Sequence, residues 1–536
     1  MALFLGTPAF DWVEAKACVL RQDRKLSHLH RVTSLIVQWG ALLLVFLWIC
    51  GISTKDAARV ILVISCLHVI TGGATNETAG SSVCRTVLSA VAVVFAPLMI
   101  LSQISRVYLG QHGIDFAIFT QSIRSVRDVG IPITTLVSPA PVDFLSHHFF
   151  PFVYVLGWLS RVTLPPHLIG IVWQGGSLCV AIWCFYRFAI KVGFEKKDAG
   201  WFAGLLCLHP CIRSGVSWGI HDELFALGFI GIALLAWIEE RWLVVVGALL
   251  CLGLFKETLL IAACLTALVI ASGEVRGQRP GKVMSMFLGA AAVTGSVAVF
   301  YLVIRPLFPE LFEASFVPSS RLATIQEWIA ADMVVGKIVY ILCVLGPVLF
   351  LPLLSPVGRC LLLCGIPFWG ASLLSNFPEM YKGTNYYGVI PAYLGWYAAL
   401  LTLRHMNVRA IPCRAVVVTV ATGLALCAGY RASPFAATRE VLSKTTYQPD
   451  SLVMIPSHVR VVASEFDSIF VLDKRQVIRQ WLAERVPLSW DVLLVRAGTR
   501  EPPSDWLMKG TKLCFADDSW KVYCRKGVSL GSTVPH

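Results

Sequence analysis

Charged residues are scarce in this chain. They make up 14% of its 536 residues, where a soluble protein of this length carries about 25%. Several sequence signatures are missing too. No Walker A sequence is present, and no GxGxxG follows a strand and opens a helix, so a glycine-rich phosphate cradle and ATP-driven transport lose support. No GxSxG elbow is present, which removes the usual setting of a serine hydrolase. The 17 cysteines show no repeated CxxC spacing, and there is no HExxH. Asp115, His148, His221 and Glu223 are residue types that hold divalent ions, but they lack local ligand spacing, so no metal or other cofactor is assigned. Heptads, solenoid repeats and low-complexity tracts are also lacking. The net charge of +13 is not laid out as a basic stripe with interleaved aromatics, so no nucleic-acid partner is expected. Residues 1–32 contain no apolar signal core but do contain Lys16, Arg21, Arg24, Lys25 and Arg31. The first hydrophobic span is therefore expected to act as an uncleaved anchor.

What the chain has in abundance is apolar sequence. Hydrophobic residues make up 56% and the mean hydropathy is +0.71. The excess is clustered in runs such as 32–52, 243–255 and 284–304, and about 20 apolar residues cross a bilayer core. The expected fold is an α-helical polytopic membrane protein of about thirteen spans. They lie near 33–52, 57–73, 88–108, 168–190, 199–217, 223–240, 242–255, 258–272, 283–304, 335–354, 359–375, 387–403 and 413–430. Most cysteines fall inside these runs, where they act as small buried hydrophobes.

The loop charges orient the chain. With residues 1–32 in the cytoplasm, the inner loops hold Arg85, Lys191, Lys196, Lys197, Arg241, Arg276, Arg279, Lys282, Arg359, Arg404 and Arg409. The short outer loops hold only Lys55, Lys256 and Lys382. This asymmetry is the positive-inside pattern of an inner (cytoplasmic) membrane protein. It requires a break at Lys256–Glu257, because one merged span there would carry the 276–282 cluster outside. Three long segments are then extracytoplasmic: 109–166, 305–334 and 431–536. The last is expected to be a small soluble α/β domain. Its strands are read at 451–456, 468–472 and 491–497, its helix at 474–484, and a hairpin at 513–515 and 521–524. Cys514 and Cys524 are symmetric about Ser519, so either a disulfide or two free thiols fits the hairpin.

The suspicious polar residues all map to the outer ends of spans. They are Asp115 in Gln111-His-Gly-Ile-Asp-Phe, Asp143 and His147–His148 before Phe149-Phe150-Pro151, His221-Asp222-Glu223, Lys256-Glu257, and Tyr386-Tyr387. Each has a structural reading. Asp115 suits a helix N-cap, and the acids at 222–223 suit a helix dipole. His148 and the tyrosines suit an interfacial belt, and Lys256 suits a pair with Glu257. Their coincidence on one face points instead to a site, since ionisable groups at membrane depth are costly.

At these residues the chain resembles a family of predicted membrane proteins, DUF2079, which is related to the GT-C superfamily of polytopic glycosyltransferases. The resemblance rests on Gly113-Ile-Asp115-Phe-Ala-Ile-Phe-Thr-Gln121, His148-Phe-Phe-Pro151, Ile220-His221-Asp222-Glu223, Phe255-Lys256-Glu257, Tyr386-Tyr387-Gly388 and Gln448-Pro-Asp450. It runs from about residue 88 to the end of the tail, with the two spans in 33–87 as an addition and 88–430 as the membrane domain. Departures are Asp222 where Pro is usual, Thr258 after the Lys-Glu pair where Asp is usual, and Phe150 where Ser is common. The resemblance implies transfer of a sugar from a polyprenyl-phosphate carrier to an acceptor outside the cytoplasm. It implies Asp115 as the base, Lys256 as the cation for the departing phosphate, and His148 and His221 as phosphate or proton contacts. Asp143, Asp222, Glu223, Glu257, Tyr386 and Tyr387 are the implied substrate-binding set. A transporter or flippase of a lipid-linked sugar, and a non-enzymatic envelope assembly protein, are the alternatives.

Overall fold

A computed structural model describes residues 79–108, 114–136, 142–147, 150–272, 331–375 and 386–406, and strand residues 460–463, 476–479, 492–496, 511–516 and 520–525. The expected spans at 33–52, 57–73, 283–304 and 413–430 lie outside these residues. So do most of the 305–334 loop and the strands expected at 451–456 and 468–472.

The described membrane part is helical. It opens with α1 (Ala79–Tyr108) and α2 (Ile114–Val129). A two-stranded antiparallel ribbon follows, β1 (Ile133–Thr134) and β2 (Val142–Asp143), then α3 (Phe144–His147) and α4 (Val153–Val162). The bundle continues with α5 (Pro166–Lys191), α6 (Lys196–Leu208), α7 (Pro210–Ser217) and α8 (Asp222–Ile238). Next come α9 (Trp242–Leu252) and α10 (Glu257–Ser272), then α11 (Ala331–Leu345), α12 (Pro356–Leu363), α13 (Ile366–Leu374) and α14 (Val389–His405).

Leu88–Val107 and Pro166–Lys191 are each long and apolar enough to cross a membrane, and α12 and α13 pass only as a pair bent by 69°. Three expected spans are therefore not single straight helices. The 199–217 span breaks at His209–Pro210, where His209 caps α7 by accepting from Cys211 N at 3.2 Å. Pro210 sits at the first helical position, where its missing N–H is harmless. The 335–354 span ends as α11 at Leu345 and continues in 3-10 turns, and the 359–375 span is the bent pair. The break required at Lys256–Glu257 is present, because α9 stops at Leu252 and α10 starts at Glu257.

Small residues let the helices approach closely, as membrane bundles require. A Cβ on Gly204 of α6 would meet Leu88 O of α1 at 2.0 Å. Ser177 of α5 donates to Phe225 O of α8 at 2.8 Å and accepts from Gly228 N at 3.0 Å. Tyr393 of α14 donates to Ala181 O of α5 at 2.9 Å. At one end of the bundle Glu239 collects Lys191 at 3.2 Å and Arg241 at 3.4 Å. Asp222 and Glu223 begin α8 at its opposite end.

The tail contains a five-stranded sheet in the order β4-β3-β5-β7-β6. Its strands are β3 (Arg460–Ala463), β4 (Gln476–Arg479), β5 (Val492–Arg496), β6 (Thr511–Ala516) and β7 (Trp520–Arg525). β3 runs parallel to both β4 and β5, while β7 pairs antiparallel with β5 and β6. The strand expected at 491–497 and the hairpin are present. The helix expected at 474–484 is not. Residues 476–479 form β4, with Val477 beside Val461 and Ile478 beside Val462. β-branched residues such as Val477 and Ile478 favour a strand over a helix. Cys514 and Cys524 are both free thiols. An irregularity between Leu513 and Phe515 takes Cys514 out of the ladder, and Cys524 stands opposite Lys512.

Candidate active site

Five separate segments bring ionisable or aromatic side chains to one end of the bundle. The first is the start of α2, where Asp115 occupies the first helical turn, a favourable place for a carboxylate beside unpaired backbone N–H groups. Asp115 is half-buried, and Phe116, Ile118, Phe119 and Ile123 behind it are buried.

The second segment is the start of α8. Its approach is held from both sides. Gln103 of α1 donates to Val216 O, and Arg106 Nη1 donates to Ser217 O at 2.7 Å. Gly219 then turns the chain at φ +115°, a left-handed conformation that side chains resist. His221 is the cap residue, with extended backbone. Its N–H donates to Gln174 Oε1 of α5 at 3.1 Å. The helix that follows begins with Asp222 and Glu223, and all three side chains are buried.

The third segment is the break between α9 and α10. Lys256 extends from it to the start of α8. Its Nζ lies 2.7 Å from Glu223 Oε1 and 3.2 Å from Asp222 Oδ2. The Lys256 side chain is 18% exposed, against 4% for Asp222 and 1% for Glu223. Lys256 thus carries the opening of the cluster. Glu223 Oε2 is buried and has no hydrogen-bond partner among the described residues. Such an oxygen is costly to bury unmet.

The fourth segment is the 3-10 turn Tyr386–Gly388 that leads into α14. The Tyr386 ring stacks on His221, with centroids 3.7 Å apart and planes at 21°. Its hydroxyl donates to Tyr387 Oη at 3.0 Å. Both phenols lie within electrostatic range of Asp115 and Glu223. Gly388 seats the turn, since a Cβ there would meet Cys211 Sγ of α7 at 2.8 Å.

The fifth segment supplies the floor. Phe150 is fully buried, and its ring lies 5.2 Å from Phe119, 5.5 Å from Phe225 and 6.0 Å from Phe255. Phe255 adjoins Lys256 in sequence, and Phe225 lies two residues after Glu223. The aromatic cluster therefore fixes the backbone beneath the charged groups and keeps their surroundings apolar.

Of the residues singled out from sequence, Asp115, His221, Asp222, Glu223, Lys256, Tyr386 and Tyr387 come together. Lys256 pairs with Glu223 and Asp222, so the local reading in which it pairs with Glu257 is not needed to account for it. The backbone of Glu257 opens α10, while its side chain, like His148, lies outside the described residues. The described contacts of Asp143 are local. Its Oδ1 accepts from Leu145 N at 2.8 Å, and burial raises its carboxyl above the ordinary carboxylate range. Sequence reasoning missed Gln174 and the clamp from Gln103 and Arg106. A glutamine inside an apolar span was the available signal for Gln174, because a buried polar group needs a partner. Among the described residues, no group of three or more His, Cys, Asp or Glu is arranged to hold a metal ion.

The family described as a predicted membrane protein, DUF2079, matches residues 107–462. That stretch contains every motif on which the resemblance rests, although it starts later and ends earlier than the resemblance suggested. No curated protein matches the chain. Among solved structures, the fold is similar to that of ArnT from Cupriavidus metallidurans, crystallised with undecaprenyl phosphate. The TM-score is 0.50 at 13% identity, covering 83% of this chain and 98% of the other. The expected helical membrane-protein fold is therefore shared in outline with that protein.

Proposed function

Since the chain belongs to the DUF2079 family of predicted membrane proteins, we propose that it is a membrane glycosyltransferase of GT-C type. It moves a sugar from a polyprenyl-phosphate carrier to an acceptor on the extracytoplasmic side of the inner membrane. The observation that carries this reading is the convergence of Asp115, His221, Glu223 and Lys256 from distant segments at one end of the bundle. The similar fold of ArnT, bound to undecaprenyl phosphate, supports the choice of carrier class. In this proposal residues 431–536 select the acceptor.

In this mechanism Asp115 accepts the proton of the acceptor hydroxyl as that oxygen attacks the anomeric carbon. The bond from the anomeric carbon to the phosphate oxygen breaks, and its electron pair stays on the phosphate. Lys256, held between Glu223 and Asp222, meets the phosphate charge as it develops. Glu223 Oε2 accepts from a sugar hydroxyl. The stacked His221 and Tyr386 form a flat wall for the sugar ring, and His148 and Glu257 complete the proposed set.

The reading is tested by mass spectrometry of the purified protein and by its variants in cells. A polyprenyl phosphate or its glycosylated form should co-purify. Asp115→Asn should fold normally, retain the glycosylated carrier and slow transfer by about 10²–10⁴-fold, the usual contribution of a general base. Folded Asp115→Asn, His221→Ala and Lys256→Ala proteins that all sustain the wild-type cellular product would remove the enzyme reading.

A further inference from the structure

The far end of α8 carries a second group of charges, about 25 Å from Asp222 by the rise of the 17 residues of this helix. It is built around Glu239, the residue that closes α8. Glu239 N donates to Leu235 O at 3.0 Å, and Arg241 N donates to Ala236 O at 2.9 Å. Between them the exposed Glu240 takes a left-handed φ of +61°, a conformation usually left to glycine at a helix C-terminus. This tight turn brings Arg241 Nε to 3.4 Å from Glu239 Oε2. On the adjoining helix α5, Arg187 and Lys191 are four residues apart and share a face. Lys191 Nζ lies 3.2 Å from Glu239 Oε1, and Arg187 Nη2 lies 4.0 Å from the same oxygen. Glu239 is 12% exposed, while the three cations it gathers remain between 43% and 68% exposed. A carboxylate offers about four acceptor positions, against roughly thirteen N–H donors on two guanidiniums and an ammonium. Glu239 therefore fixes the cations in one place and leaves most of their donors to a ligand outside.

The surface beside the cations is apolar. Trp183, one turn before Arg187, is 55% exposed, and the Arg187 guanidinium lies 5.8 Å from the centre of its ring. Leu243, two residues after Arg241, is 89% exposed. Pro166–Lys191 is long and apolar enough to cross a membrane, so its exposed apolar strip meets acyl chains and its last turn meets headgroups, the depth that tryptophan favours. A phosphate matches guanidinium donors in charge and in geometry. A zwitterionic headgroup brings its own ammonium, which the three cations repel. We infer that Arg187, Lys191 and Arg241 bind the headgroup phosphate of an anionic phospholipid whose acyl chain lies along Trp183 and Leu243. Glu239 is a positioning residue for the cations. This lipid site is at the opposite end of α8 from the candidate active site and does not depend on the reaction proposed there.

Native mass spectrometry of the full-length protein in detergent tests the inference, with dioleoyl phosphatidylglycerol and dioleoyl phosphatidylcholine as probes. The wild type should retain phosphatidylglycerol and bind phosphatidylcholine more weakly. Arg187→Gln leaves Lys191 and Arg241 on Glu239. It should weaken phosphatidylglycerol binding roughly fivefold, the order expected of one cation at an anionic lipid surface. Arg241→Gln should do the same, and Arg187→Lys should retain most of the binding. Phosphatidylcholine binding should not change in any of them. Changing both Lys196 and Lys197 to Gln removes charge from the start of α6, outside the cluster, and should leave phosphatidylglycerol binding intact. Thermal unfolding without added lipid confirms that each variant is folded. Equal binding of the two lipids by the wild type would overturn the inference, as would unaltered binding in both Arg→Gln variants. An equal loss in the Lys196 and Lys197 double variant would show diffuse attraction in place of a site, and would overturn it too.

Discussion

Lys256 Nζ stands 2.7 Å from Glu223 Oε1, although 33 positions of sequence and a full helical hairpin separate the two residues. The contact joins the break between α9 and α10 to the first turn of α8. It is a buried pair, so its geometry says more about specification of the site than about net stability.

Removing one partner of that pair should be costly. Lys256→Met leaves Asp222 and Glu223 buried without their cation. The expected loss is about 3–5 kcal/mol, the range for breaking a buried pair from one side. Adding Glu223→Gln and Asp222→Asn to Lys256→Met should recover much of it, because the orphaned charges go as well. Thermal unfolding in detergent reads both effects. A triple variant as unstable as the single one would show that Lys256 acts through packing and not through charge.

The aromatic floor makes a separate prediction. Phe150 is fully buried and touches rings from α2, α3, α8 and the α9–α10 break. Phe150→Ala should destabilise by about 3–5 kcal/mol through the cavity it leaves, while Phe150→Leu should be much milder. If the site depends on this floor, Phe150→Ala should also weaken carrier binding at temperatures where the protein is still folded. Unchanged binding would separate the floor from the site.

Asp143 predicts a pH effect in the loop after α2. Burial raises its carboxyl above the ordinary value, and the bond from Leu145 N opposes this only in part. A carboxyl raised in the folded state contributes stability that is fully present below its unfolded pKa. That contribution is lost as pH rises through the folded pKa. At neutral pH the ionised group is therefore a net cost. Asp143→Asn, which still accepts from Leu145, should raise neutral-pH stability by up to about 1 kcal/mol and remove the acid-side rise. Melting curves between pH 4 and pH 8, run on both proteins, check the sign (roughly the range in which a raised carboxyl titrates).

In the tail, burial pushes the Cys524 thiol up to about 12, with Cys514 the next contributor. The thiolate is the reactive form, so Cys524 should alkylate far more slowly than a free cysteine in the folded protein at neutral pH. Denaturation should restore its ordinary rate. Maleimide labelling followed by peptide mass spectrometry gives the answer, and rapid labelling of Cys524 in the folded domain would contradict its burial.

Hydropathy and loop charge were enough to read a polytopic helical fold and the break at Lys256–Glu257. Both depend on bilayer solvation, which acts on a run of residues wherever it sits in the fold. The motif residues Asp115, His221, Glu223, Lys256 and Tyr386 were legible for the same reason, since charge at a span end stands out against apolar sequence. Which of them meet was not legible. Asp143 and Lys256 look alike as outlying charges, yet the bond described for Asp143 is to Leu145 N while Lys256 reaches the start of α8. Gln174 gave no sign that it accepts from His221 N, and 474–484 showed a helical period although 476–479 pair as a strand. A contact across 33 or 47 positions depends on helix packing and strand register. The local pattern that sets each element says nothing about its neighbour. Local pattern settles where charge cannot be buried alone. Packing settles which partner makes that burial possible, because a buried ion is tolerated through the geometry of its counter-charge and not through its own identity.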